Sequence, residues 1–187
     1  MPAFLKPCLA LVVACGLACP GQAAATVFYS LDEVPALAFP EATRTETTTL
    51  FLSPDQHQRI EAAARTRLDS DLIKVYSGYK QDEPLGYALL DTHIVRTLPE
   101  AFLTVLSPDG RVRAVHVLAF YEPLEYLPSA RWLEQLKGKR LGSGLRIGRD
   151  LAAVTGSTLS SRAVVSAVGR ALAVYEEVIA ASPTDND

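Results

Sequence analysis

Apolar and polar positions along this chain alternate with two different periods, and the switches between them mark its elements. Ser53-Pro54-Asp55-Gln56 has the form of a capping box with proline at the first helical position. Ile60, Ala63, Ala64 and Leu68 follow at three- and four-residue spacing, which predicts a helix from residue 54 to about 68. Residues 72–79 and 85–91 are β-rich runs on either side of the polar stretch 80–84, the pattern of a hairpin. Residues 101–106 and 111–120 predict a second hairpin around Ser107-Pro108-Asp109-Gly110, where proline pre-sets one dihedral and glycine accepts a positive φ. A short helix over 131–137 and a glycine-punctuated loop over 138–148 follow. Val164, Val168, Leu172, Tyr175 and Ile179 then recur in helical register, so the chain is expected to finish in a packed amphipathic helix over 160–180. Four hairpin-connected strands with helices before and after them predict an α+β fold, an antiparallel sheet flanked by helices.

Composition narrows the function classes. With 187 residues, 49% of them apolar, the chain can bury one substantial core, and one domain is expected. Eighteen basic against 21 acidic side chains leave a net charge of −3, which supplies no field for gathering phosphate backbones, so nucleic acid is not an expected partner. The three cysteines (Cys8, Cys15, Cys19) and the single methionine, Met1, all lie in the first nineteen residues. That segment reads as an export signal. Lys6 forms a small positive region, residues 8–19 are apolar, Pro20-Gly21 breaks the helix, and Ala23-Ala24-Ala25 is a small-residue cleavage site. Residues 1–25 are therefore expected to be a signal peptide cut before Thr26, giving a periplasmic or otherwise extracytoplasmic protein. Two other fates are open to the segment, a permanent anchor and lipidation at Cys15, although the apolar run is shorter than the roughly 20 residues that span a bilayer. A chain matured at Thr26 holds no sulfur, which excludes disulfides, thiolate nucleophiles and cysteine metal sites. It also holds no membrane span, so residence at a membrane requires a partner.

Chemistry concentrates just before the last helix. Thr155, Ser157, Thr158, Ser160 and Ser161 place five hydroxyls around Gly156. Ser and Thr are preferred helix caps, and on composition alone the stretch reads first as a cap and a bend. A helix N-terminus also offers unpaired amides and a positive dipole end, which favour a phosphate, and glycine lets that phosphate approach the backbone. Arg162 and Arg170 share roughly one face of this helix, with Arg162 close enough to the cap to assist a phosphate. The three histidines, His57, His93 and His116, have no ligand spacing, and no metal site is expected. The acid pairs Glu176-Glu177 and Asp69 with Asp71 read as solvated faces.

Thr155-Gly156-Ser157-Thr158-Leu159-Ser160-Ser161, followed by Arg162-Ala163-Val164-Val165, resembles the signature of the extracytoplasmic FMN-binding domain. This domain occurs in the flavin-carrying subunits of the sodium-pumping NADH:quinone oxidoreductase and its ferredoxin-linked relatives. The likeness extends to Leu85-Gly86-Tyr87-Ala88, Asp109-Gly110-Arg111-Val112 and Phe120-Tyr121-Glu122-Pro123-Leu124-Glu125-Tyr126, and covers roughly residues 70–180. The family pattern is Asp-x-x-Ser/Thr-Gly-Ala/Ser-Thr, whose final threonine a dedicated flavin transferase esterifies to the FMN phosphate. The resemblance implies that Thr158 is this acceptor, with Thr155, Gly156, Ser157 and Leu159 around the phosphate end. It further implies Glu122 and Pro123 in the flavin-side loop, with Tyr126 and Trp132 as candidate ring neighbours. The leading aspartate of the pattern falls on Ala152, and the nearest acid, Asp150, stands two residues earlier. Ser157 adds a competing hydroxyl beside the acceptor.

The resemblance implies residues 26–69 as an N-terminal lead and helix, 70–181 as the FMN-binding domain and 182–187 as a frayed tail. No His or carboxylate adjoins Thr158 in sequence, which fits an acceptor activated by another enzyme better than a nucleophile of its own. No catalytic residue is assigned. The expected function is that of a periplasmic electron carrier with covalent FMN, or a subunit of a membrane-associated oxidoreductase, working with a membrane redox partner. The alternative, sharpened by Ala152, is a non-redox binding or assembly module of the same fold without covalent flavin.

Overall fold

Four consecutive strands each pair with their sequence neighbour, and the segment that precedes them in the chain supplies the two outer strands. The computed structural model describes residues 26–95, 98–154 and 156–181. The expected signal peptide with Cys15, residue Thr155 and the tail 182–187 lie outside the described residues. The elements are β1 (Thr26–Val27), α1 (Val34–Ala38), β2 (Arg44–Phe51), α2 (Pro54–Ala64), β3 (Leu72–Lys80), β4 (Glu83–Val95), β5 (Leu98–Leu106), β6 (Val112–Phe120), α3 (Ala130–Leu133) and α4 (Thr158–Val174). They build one six-stranded sheet in the order β1-β6-β5-β4-β3-β2, antiparallel at every junction. The fold is α+β, as its sequence pattern predicts.

Side chains alternate across a strand, so each strand divides between the two faces of the sheet. One face carries Val75, Leu89, Phe102, Leu106, Val112 and Val115, and packs against α4 and Ile60 of α2 in the main core. The other face presents Tyr76, Ala88, Leu103, Val105 and Leu118 to a smaller core closed by Val34, Ala38 and Phe39. Residues 28–43 thus cross the back of the sheet from β1 at one edge to β2 at the other. Gly78 permits this crossing, because a Cβ there would stand 2.4 Å from the Phe39 ring. At full burial, large side chains such as Phe39 and Phe102 each contribute about 1.5–3 kcal/mol.

The second hairpin closes at 107–110 as predicted. Gly110 has φ +74°, and a Cβ on it would collide with the Tyr175 ring, whose hydroxyl donates to the Pro108 carbonyl at 2.6 Å. This contact pins the end of the final helix to the β5–β6 turn. The capping box forms as predicted: the Gln56 amide donates to Ser53 Oγ, and the Ser53 amide donates to Gln56 Oε1.

Several boundaries differ from the sequence reading, each for a local reason. Helix α2 stops at Ala64 instead of about 68, because Arg65 turns left-handed (φ +55°) and Glu61 accepts the Leu68 amide at 2.9 Å. The first hairpin is tighter than a five-residue turn, since Lys80 pairs with Glu83 and Gln81 takes φ +57°. The threonine-rich lead is not irregular: residues 44–51 form the edge strand β2, where β-branched side chains suit a largely exposed pleat. The short helix is Ala130–Leu133 with a 3₁₀ turn over Glu134–Leu136, and α4 begins at Thr158 and continues into a π-helical turn over Tyr175–Ile179.

Candidate functional site

The start of α4 is built by three neighbouring segments. Ser129 caps α3 by accepting the Trp132 amide, and the buried Trp132 reaches back so that its indole N–H donates to the Ala152 carbonyl at 2.7 Å. The Ala152 amide donates in turn to Gln135 Oε1 at 2.9 Å. Both backbone groups of residue 152 are thereby tied down while the residue itself stays exposed. Asp150, the nearest acid, is turned towards its own loop. Its carboxylate accepts the Arg146 amide at 3.2 Å and lies 3.8 Å from both the Arg146 and Arg149 side chains, folded back on its own loop.

After this anchored stretch, Gly156 takes φ +90° with open space where a Cβ would stand, and α4 begins. Ser157 occupies the cap position, yet its side chain makes no capping hydrogen bond and is buried. Among the described residues no side chain therefore covers the first amides of α4, where the positive end of the helix dipole lies. Thr158 is exposed, and among the described residues its hydroxyl donates only to the Val154 carbonyl, at 3.4 Å. The two adjacent hydroxyls are thus distinguished by direction: Ser157 points inward and Thr158 outward. Leu159 is also exposed, whereas Ser160 and Ser161 are buried against the sheet.

The loop after β6 comes to the same place. Glu100 on β5 pairs with Phe120 on β6, and Glu122 follows two residues later. The charge of Glu122 and the hydroxyl of Ser160 both act on the Glu100 carboxyl, so the loop after β6 and the first turn of α4 meet over the start of β5. Glu122 is buried, Pro123 is exposed and Tyr126 is half-buried. Trp132 belongs to the main core, and its ring supports the site from beneath.

A second polar group, which sequence spacing did not reveal, lies under α4. Arg170 donates from Nε and Nη2 to the two carboxylate oxygens of Asp91 at 2.5 and 2.7 Å, and from Nη1 to Thr66 Oγ1 and the Arg67 carbonyl. His93 Nδ1 lies 2.8 Å from Asp91 Oδ1. Burial pushes the Asp91 carboxyl up, but the hydrogen bonds of His93 and Arg170 outweigh it and hold the group below the usual carboxylate range. Only strand register could have exposed this arrangement, since Asp91 and Arg170 are 79 residues apart. A cleft of about 420 Å³ opens beside it, lined by Arg67, His93, Ile94, Leu159, Arg162 and Arg170. A larger one of about 720 Å³ lies between α4 and the glycine loop, with Arg65, Arg146 and Ser166 on its walls. Among the described residues no cluster of His, Cys, Asp or Glu could hold a metal ion, and no helix is long and apolar enough to cross a membrane.

The chain is similar to one of the subunits of the Na⁺-translocating ferredoxin:NAD⁺ oxidoreductase complex of Acetobacterium woodii, with 28% identity over 125 residues. The match covers 58% of this chain and 58% of that protein, so the chain spans little more than half the length of the curated relative it matches. No protein-family model matches the chain.

Proposed function

We propose that this chain is an electron-transfer flavoprotein that carries FMN as a phosphoester on Thr158 and works outside the cytoplasm with a membrane-associated redox complex. The observation that carries the reading is the presentation of Thr158. It is the outward hydroxyl at a helix start whose cap residue, Ser157, makes no side-chain capping hydrogen bond, two residues after a glycine whose conformation leaves the backbone open. The sequence around it resembles the acceptor signature, and similarity to a component of an electron-transport complex supports the assignment.

The residues present fit such a group. Thr158 Oγ1 would hold the phosphoryl end, with the first amides of α4 and the open backbone at Gly156 facing its oxygens. Leu159 offers an apolar contact beside the attachment point, and Glu122, Pro123 and Tyr126 form the loop on the other side. When bound, FMN supplies the redox chemistry, while the protein fixes its position and electrostatic surroundings. Attachment requires a transferase that activates Thr158, since among the described residues no base contacts its hydroxyl. Export by the N-terminal segment would place the tether where a dissociated cofactor could not readily be replaced.

A second reading rests on Ala152. With alanine where the acceptor signature has aspartate, and Asp150 held by Arg146, the chain would be a binding or assembly module of the same fold that stays unmodified. Co-expression of the exported protein with a flavin transferase decides between them. Covalent fluorescence on a denaturing gel that disappears in Thr158→Ala and persists in Ser157→Ala supports the flavoprotein. A colourless protein of unmodified mass supports the module.

A further inference from the structure

Glu100 has no evident structural role. It is fully enclosed on the sheet face beneath the first turns of α4, and neither carboxyl oxygen completes a hydrogen bond of good geometry. Three further buried atoms on this layer share that condition: Nε2 of His93, its direct partner on β4; Oγ of Ser161 on α4; and Oγ1 of Thr104, further along β5. Each unpaired buried polar group forfeits its hydration without recompense, and an apolar residue of similar shape would avoid that cost. A row of such groups within an otherwise apolar core marks a place that holds water or exchanges protons.

The charged and titratable neighbours are distributed over every element packed on Glu100. Strand β4 contributes Asp91 and His93, the loop after β6 contributes Glu122, and α4 contributes Arg170 together with the hydroxyls of Ser160 and Ser161. Arg170, a buried cation of the layer, spends both prongs on Asp91, and among the described residues no cation pairs with Glu100. Burial raises the Glu100 carboxyl to about 7; His93 and Ser160 oppose the rise, and Glu122 adds to it. The group lies under Ser160, two residues beyond Thr158 at the mouth of the helix.

We propose that Glu100 is a proton-binding site coupled to the mouth of α4: its carboxylate takes a proton from solvent when negative charge arrives beside that mouth and returns it when that charge leaves. The step forms one O–H bond on Glu100 and breaks one in solvent, and no electron passes through the side chain. That the arriving charge is an electron held on FMN rests on the proposed function. The coupling itself does not.

Infrared titration of the full-length chain without cofactor tests the site, with Glu100→Gln and Glu100→Met as two alternative silent variants that identify its carboxyl band. A band that titrates near neutral pH and vanishes in either variant is expected. Thr158→Glu then sets a fixed negative charge at the helix mouth, with Thr158→Gln as the neutral control. At low salt the midpoint should be higher in Thr158→Glu than in Thr158→Gln by about half a pH unit or more, and the gap should narrow as salt is added. Absence of the band, or equal midpoints in the two Thr158 variants, overturns the proposal whether or not the chain accepts FMN. Failure to take up FMN with the midpoint gap intact overturns only the flavoprotein reading. In flavin-loaded protein, growth of the same band on reduction supports the coupling, and an unchanged band overturns it.

Discussion

The indole N–H of Trp132 donates to the carbonyl of Ala152 at 2.7 Å, joining α3 to the segment that leads into the exposed threonine. Trp132→Phe keeps most of the buried ring and removes this donor. The expected cost is about 1–2 kcal/mol in chemical unfolding, because the carbonyl loses its partner. Exchange protection of the Ala152 amide should fall with it. Loss of stability without a local effect at residue 152 would place the role of Trp132 in packing alone.

The Asp91–Arg170 pair joins the middle of α4 to β4. Breaking a buried pair leaves one charge unmatched, so Arg170→Ala and Asp91→Ala should each destabilise by about 3–5 kcal/mol. The double change to leucine should recover much of that loss, because neither desolvated charge remains. Denaturation midpoints of the three variants check the difference.

Acid should weaken the same pair. The folded-state pKa of Asp91 lies below its ordinary value, so its contribution is complete above that ordinary value and is lost as pH falls through the folded one. Glu100 acts in the opposite sense. Its folded pKa is raised to about 7, so the folded chain binds the extra proton, and stability drains away as pH rises from the ordinary carboxylate range towards 7. Relative to Glu100→Gln, the native chain should lose roughly 2–3 kcal/mol across that interval. A difference between the two that does not vary with pH would remove Glu100 from the account.

Ala152→Asp should raise covalent flavin occupancy if recognition by the transferase is what Ala152 weakens. The exposed side chain leaves room for the carboxylate without disturbing the two backbone hydrogen bonds. Intact mass of the exported protein gives the occupancy directly. Equal occupancy in the two proteins would show that the enzyme does not read position 152.

Gly78→Ala should destabilise by about 1–3 kcal/mol, since its new methyl group enters the Phe39 ring and must displace a fully packed aromatic. Combination with Phe39→Leu should relieve part of the clash. Thermal unfolding of the single and paired variants measures the relief.

Much of this architecture was legible in the sequence wherever local chemistry decides structure. The capping box at Ser53, the Pro-Asp-Gly turn at 108–110 and the apolar register of the last helix each announce their element because a few adjacent residues determine it. Strand β2 was not legible: a run of threonines is polar in composition, and only pairing with β3 makes it a strand. The same limit governs the site. Thr158 stands out through neighbours on its own segment, but the inward turn of Ser157 depends on packing. Glu100, His93 and Asp91 come under α4 only once β4 and β5 are in register, so no linear spacing could have grouped them.

Helix α4 carries two assignments at once. Residues 163–174 form the wall against which the sheet closes, while the exposed hydroxyl of Thr158 opens its first turn. Most of the stability of such a helix comes from packing its apolar face on the sheet. An unfolded chain therefore presents no helical mouth. Any modifying enzyme that recognises that shape inspects finished molecules, and a completed ester would serve as a certificate that the core beneath it had already assembled.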